Sequence, residues 1–532
     1  RIRTRHSGRR DFALLLFLFH SFVFDGSRLL HNADQLKSMG SRYLTQGMEL
    51  PEWDSSKLGG LPTLDAMFGD AYHPLRLLQG VMEPARAVGW KFILSIQFAF
   101  MGGLLLFSRL ARDSRWGALI ALFYALNPHF FTLTYPGHDG KMMALSALPW
   151  LLWGLLILAK ESKAWGAVVM ALALLWMVLS SHLQVVYFVL WGLLFLSFFL
   201  VFFGEEQREL KTKLWNQALV GVAVAAALGL SAFQIIPQRA YLSEHSVRGS
   251  AEKSSYGHAV SWSLHPEELA TLILPGFISH ASDRSSEDGQ GITEKHYWGR
   301  NFLKLNHDGI GAMLLLLGLL GLSHRSLRRE GLFWIGASTL VVIYTVGAHT
   351  PLFSLFYKWL PGVHNFRAPA MAGFWLPMGA AWMGARWLGC DDREKGPLIA
   401  PLAAMVAIGL LLAVVRPVWN KFLGAPAVIV LIALFLLTIV ALGAQMSGRP
   451  FGMHSFREVT KNWKAIPPST LIVIAIAFAA LISIVVGVDE ALAAEGVRHY
   501  FVPLQLELMK SESPETWISW ILLALSAGAL IW

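Results

Sequence analysis

An all-α, polytopic membrane protein is the fold class that three features of the sequence predict. Apolar runs near the roughly 20 residues needed to cross a bilayer recur along the whole chain. Of its 532 residues, 55% are hydrophobic and 15% charged, with a mean hydropathy of +0.49, whereas soluble domains carry about 25% charged residues. The basic residues fall in short connections between the apolar runs. The 21 Trp and 33 Phe suit a protein with aromatic belts at both membrane surfaces.

Arg1 to Arg10 is basic and Phe12 to Phe24 apolar, with no A-x-A-like cleavage site behind it, so the segment reads as an uncleaved first helix. In all, the apolar runs give about 14 spans, at 11–28, 88–108, 116–134, 142–159, 164–180, 183–203, 215–236, 308–323, 331–347, 369–388, 397–415, 424–444, 469–488 and 515–532. They form a single transmembrane domain, 1–532, with two long loops on one side, 29–87 and 237–307, both able to carry short surface helices. The chain stops inside an apolar run at Trp532, which suggests a fragment of a longer protein.

With the N-terminus in the cytoplasm, the inner connections are short and basic: Arg109/Arg112/Arg115, Lys160/Lys163, Arg208/Lys211/Lys213, Arg325/Arg328/Arg329, Arg386/Arg393/Lys395 and Arg449/Arg457/Lys461/Lys464. This is the pattern of cytoplasmic retention of positive charge. It accounts for the net charge of +9 without a nucleic-acid partner. The single Cys390 excludes an internal disulfide and a cysteine metal cluster.

The other face holds the candidate chemistry. The first long loop contains Asp34-Gln35, Leu50-Pro51-Glu52-Trp53-Asp54, Gly59-Gly60-Leu61-Pro62 and Gly69-Asp70-Ala71-Tyr72-His73-Pro74. Asp34 reads either as a general base for an acceptor hydroxyl at the water–lipid boundary or as a solvated carboxylate capping a surface helix. Tyr135-Pro136-Gly137-His138-Asp139-Gly140-Lys141 lies between two apolar runs. There Lys141 could hold a lipid phosphate or snorkel to headgroups, and Asp139 could assist a base or orient His138. Ser180-Ser181-His182-Leu183-Gln184-Val185-Val186-Tyr187 forms a tight hairpin between two helices. Pro361-Gly362-Val363-His364-Asn365-Phe366-Arg367 precedes another helix and places Arg367 to clamp a phosphate or pair with headgroups. Arg239 and Arg248 lie in the second long loop. His20 and Gln234 read as satisfied core residues. Aspartate and histidine donors leave a divalent metal open, but no H-E-x-x-H spacing, Walker-type phosphate loop or G-x-S-x-G elbow occurs.

In this order the motifs resemble the YfhO-like family of bacterial integral membrane proteins, within the broad GT-C glycosyltransferase class. The resemblance is carried by Asp34, Leu50-Pro51-Glu52-Trp53-Asp54, Gly59-Gly60-Leu61-Pro62 and Tyr72-His73-Pro74 in the first loop. It continues through Gly137 to Lys141, His182 to Tyr187, Ile236-Pro237 to Arg248, and Leu360-Pro361-Gly362 to Arg367-Ala368-Pro369. The Asp34-Gln35 spacing and Met371, where a further basic residue is common, depart from the family pattern.

The resemblance implies a GT-C-like fold in the bacterial inner membrane. It implies a transferase that moves a sugar from a polyprenyl-phosphate carrier to an envelope glycan or protein acceptor on the extracytoplasmic face. Asp34, Asp139 and His138 would be catalytic. Lys141, Arg367, His182, Gln184, Trp53, Tyr72 and Arg248 would bind substrate. No cofactor is assigned, and a divalent metal stays open. The rival expectations are a flippase for lipid-linked glycans, which would place ionisable groups near the bilayer midplane, and a non-catalytic scaffold subunit.

Overall fold

The structure, a computed structural model, describes residues 53–54, 59–62, 70–134, 137–204, 208–245, 255–272, 308–322 and 324–390, with 19, 23 and 206 beside them. The spans expected at 397–415, 424–444, 469–488 and 515–532, nearly all of 11–28, and the candidates His20, Asp34 and Arg248 lie outside the described residues. The described chain is helical apart from a two-residue antiparallel ladder, Trp53–Asp54 (β1) against Leu61–Pro62 (β2). Among the described residues, five helices are long and apolar enough to cross a membrane, or six if one bent pair is a single span. The described residues fall into two compact units, one within Arg1–Leu264 and Gly336–Met378, the other within His265–Ile335 and Gly379–Trp532.

In the first unit, helix α1 (Pro84–Ala111) begins on a proline, whose fixed φ and missing N–H suit a first helical position. It ends at Arg112 in the left-handed conformation. Helix α2 (Ser114–Ala125) turns straight back, capped by the Asp113 carboxylate, which accepts the Arg115 amide at 2.7 Å. The single span expected at 116–134 is broken. Pro128 opens a new short helix, α3 (Pro128–Phe131), and the two parts of the span meet at 46°. A proline inside a helix removes a hydrogen bond and clashes with the preceding turn. Asn127 caps the new start by accepting the Phe130 amide at 3.1 Å.

Helices α4 (Asp139–Ser146) and α5 (Leu148–Glu161) together make one span, which starts three residues before the expected 142. Lys141 is therefore in the first turn of a helix, not in a loop. Helix α6 (Trp165–Leu179) has 15 residues, about 22 Å of rise, so it is shorter than the span expected at 164–180. Helix α7 (Leu183–Phe203) matches its expectation. The segment expected at 215–236 is two helices, α8 (Leu210–Leu230) and α9 (Ala232–Glu244), parted at Ser231. A one-turn helix, α10 (Tyr256–Ala259), lies in the second long loop.

The basic connections of this unit gather at one end. Arg109 pairs with Glu161, Lys163 reaches the same carboxylate at 2.7 Å, and Arg208 donates to the Ser162 hydroxyl at 2.6 Å and to the Lys160 carbonyl. Asn216 of α8 donates to Ser162 at 2.9 Å. Lys91 and Arg109 lie 18 residues apart on α1, about 27 Å at 1.5 Å per residue, so the two ends of the unit are separated by roughly a hydrocarbon core.

The second unit contains helix α11 (Ala312–Leu322), the first turns of α12 (Arg328–Val346) and most of α14 (Trp375–Leu388); the first unit takes the rest of α12 and the short helix α13 (Phe353–Trp359). Small residues let α11 and α14 approach: a Cβ on Gly321 would stand 2.3 Å from the Met383 carbonyl oxygen. Arg386 is no loop charge. It is buried in α14 and forks onto Glu330 at 3.1 and 3.0 Å, with the Trp382 indole donating to the same carboxylate at 3.1 Å. The span expected at 369–388 opens as a 3-10 helix, Pro369–Phe374.

Candidate functional site

The site begins with the turn that leads into α4. Gly137 has φ of 75°, in the left-handed region that glycine enters freely. The reversal is closed by the Gly137 amide on the Thr134 carbonyl (3.2 Å) and the His138 amide on the Leu133 carbonyl (3.1 Å). This sets three polar side chains at the helix start. Asp139 accepts the Gly140 amide at 2.9 Å, and Lys141 Nζ lies 3.4 Å from His138 Nδ1. An ammonium has only donors, so Nδ1 accepts and a neutral His138 ring carries its proton on Nε2. Lys141 is buried, while His138 and Asp139 are half-buried.

Gly140 brings this turn against the hairpin between α6 and α7. A Cβ there would sit 2.8 Å from the Ser180 carbonyl oxygen. Ser181 takes a φ of 59°, unusual for a residue with a side chain. Its hydroxyl accepts from Gln234 Nε2 at 2.9 Å, and the same amide donates to the Val178 carbonyl at 3.2 Å. His182 is the residue before α7. Gln184 donates to the Arg367 carbonyl and lies 3.5 Å from the Ala368 carbonyl. The Tyr187 hydroxyl donates to the Pro361 carbonyl at 2.8 Å, and its ring packs on Phe366 at 4.8 Å. Ala368, itself at φ of 54°, donates its amide to the Ser261 carbonyl at 2.8 Å. The first loop joins through Tyr72, whose ring meets Phe233 edge-on at 4.9 Å.

His138, Asp139, Lys141, His182, Gln184, Tyr72 and the backbone of Arg367 therefore share the end of the first unit opposite its basic connections. The Arg367 side chain is exposed. Trp53 stands on the β1–β2 ladder with its ring over Gly60. Among the described residues, no three His, Cys, Asp or Glu side chains are grouped so as to hold a metal ion.

The most buried charges at this end are not among the expected site residues. Lys91, on α1, is fully buried and paired with Asp70, which is 3% exposed. The signal was a lone ammonium inside an otherwise apolar run, where an ionisable group is costly and normally partnered. His73 completes the group. Its Nδ1 accepts the Leu75 amide at 3.2 Å, capping the 3-10 helix Pro74–Gly80, and its ring meets Trp176 edge-on at 4.4 Å. Trp176 stacks on Phe98 of α1 and donates to the Met143 carbonyl of α4 at 3.1 Å. The loop is thus clasped to α1 by a charge pair and wedged through one indole against the helix that carries Lys141.

Burial pushes the His73 imidazole down to about 4; Asp70 opposes this shift and Lys91 adds to it. Because the folded value lies below the unfolded one, the folded protein binds fewer protons between those two values. Stability is then full above about pH 6.5 and falls as the pH drops toward 4, by about 3 kcal/mol at most. Thermal unfolding of wild type and His73→Gln in one detergent, across that window, checks this. The variant should lose the acid slope; identical slopes would refute the assignment.

No protein-family model, curated protein or solved structure matches the chain.

Proposed function

We propose that the chain is a membrane glycosyltransferase of the YfhO-like, GT-C type. It moves a sugar from a polyprenyl-phosphate carrier to an envelope acceptor on the extracytoplasmic face of the bacterial inner membrane. One observation carries this reading: the His138–Lys141 pair adjoins the Ser180–Gln184 hairpin, which is tied to Arg367–Ala368, at the end opposite the arginine-rich connections. If the basic end faces the cytoplasm, as retention of positive charge requires, the site opens outward.

In this reading the Lys141 ammonium and the exposed Arg367 guanidinium hold the carrier phosphate. Asp139, or Asp34 of the first loop, takes the proton of the acceptor hydroxyl. The acceptor oxygen bonds to the anomeric carbon while the bond from that carbon to the phosphate oxygen breaks, and the phosphate leaves with the electron pair and with inversion at carbon. Positioning and charge stabilisation supply most of the rate. The buried Lys91–Asp70 pair lies near one end of α1 rather than at its middle, which suits a supporting role better than an ion path.

The test is purified protein in proteoliposomes with radiolabelled polyprenyl-phosphate hexose and a cell-envelope extract as acceptor. Label should pass to the acceptor and free polyprenyl phosphate should accumulate. Movement of intact carrier between leaflets without cleavage would replace the transferase with a flippase, and neither activity would leave a scaffold.

A further inference from the structure

Helix α9 turns two glutamines inward: its buried side chains are Gln234 and Gln238, while Phe233, Ile236, Arg239, Ser243 and Glu244 are exposed. Gln234 is 1% exposed. Its amide nitrogen is committed to Val178 and Ser181, and because the Val178 carbonyl can only accept, the nitrogen and oxygen of the amide are fixed in place. Its Oε1 is buried and accepts no hydrogen bond. A buried acceptor left without a donor is costly and rare. The oxygen belongs to the side chain that holds Ser181 of the strained turn, whose neighbour Ser180 abuts Gly140 and the Lys141 turn.

We infer that Gln234 is a ligand-binding residue, with Oε1 accepting a hydroxyl of the sugar on the lipid-linked donor while Lys141 serves the phosphate. This rests on the transferase reading and adds to it the residue that senses the sugar. A hydroxyl is a donor, as Oε1 demands, whereas a phosphate diester or carboxylate offers only acceptors.

The experiment measures binding of polyprenyl-phosphate glucose and of sugar-free polyprenyl phosphate to the full chain in nanodiscs, for wild type, Gln234→Met and Gln234→Glu. Wild type should prefer the sugar-bearing lipid. Gln234→Met should weaken that lipid at least tenfold and leave the sugar-free lipid within twofold. Gln234→Glu keeps an acceptor oxygen at the same place, so it should keep the preference within threefold. A merely structural glutamine would weaken both lipids together in Gln234→Met, through loss of the turn. Equal weakening, or an unchanged sugar preference in Gln234→Met, overturns the inference and leaves the transferase reading standing. Wild type that binds neither lipid overturns both.

Discussion

Replacing Lys91 by methionine should lower the unfolding free energy by about 3–5 kcal/mol, and replacing Asp70 by leucine in the same chain should return most of it. Both charges are buried, with side-chain exposures of 0% and 4%. Removing one partner leaves the other as an uncompensated ion in a medium that cannot solvate it. Removing both exchanges the pair for apolar contacts of similar volume, which is often neutral. Thermal or denaturant unfolding in a single detergent, on the two single variants and the double, measures the coupling. Single losses that add in the double variant would show that the pair is not the clasp of the first loop. Activity of the rescued double variant then separates roles: a purely structural pair restores transfer along with stability.

Lys141→Met should reduce transfer from polyprenyl-phosphate hexose by about 10²–10³-fold in kcat/KM, the size expected when one fixed donor to developing negative charge is removed. Lys141→Arg should keep part of the rate, because the charge remains but the compact ammonium fit to His138 does not. Unfolding of both variants checks that the loss is chemical. Lys141 sits in the first turn of α4, whose capping hydrogen bonds are made by the backbone and Asp139, so its head group can change without undoing the turn. Full activity in Lys141→Met would remove the phosphate-holding role.

Several features of the fold were legible in the chain because the bilayer imposes them. Apolar runs of span length gave α7 within its limits, and α1 and the span formed by α4 and α5 to within about one helical turn at each end. The clustering of arginine and lysine in alternate connections anticipated the end held by Arg109, Glu161, Lys163 and Arg208. Hydropathy averages over a window, so it missed the break at Pro128 and the separate helices either side of Ser231. It also hid Lys91, one charge diluted by apolar neighbours.

The candidate site divides in the same way. The His138–Lys141 turn and the His182–Gln184 hairpin were visible as short polar strings between apolar runs. That they touch was not, since the approach depends on Gly140 lacking a side chain where the Ser180 carbonyl comes down. Gln234 read as a satisfied core residue, and the structure leaves its Oε1 without a donor.

What the sequence by itself determined is the helical, membrane-spanning character and the sorting of basic from mixed polar connections, because transfer into hydrocarbon acts on each segment separately. Which polar groups meet, which of them bury, and which acceptor is left wanting a donor were decided only by tertiary packing, because those outcomes depend on distances between segments as far apart in the chain as Gln184 and Arg367.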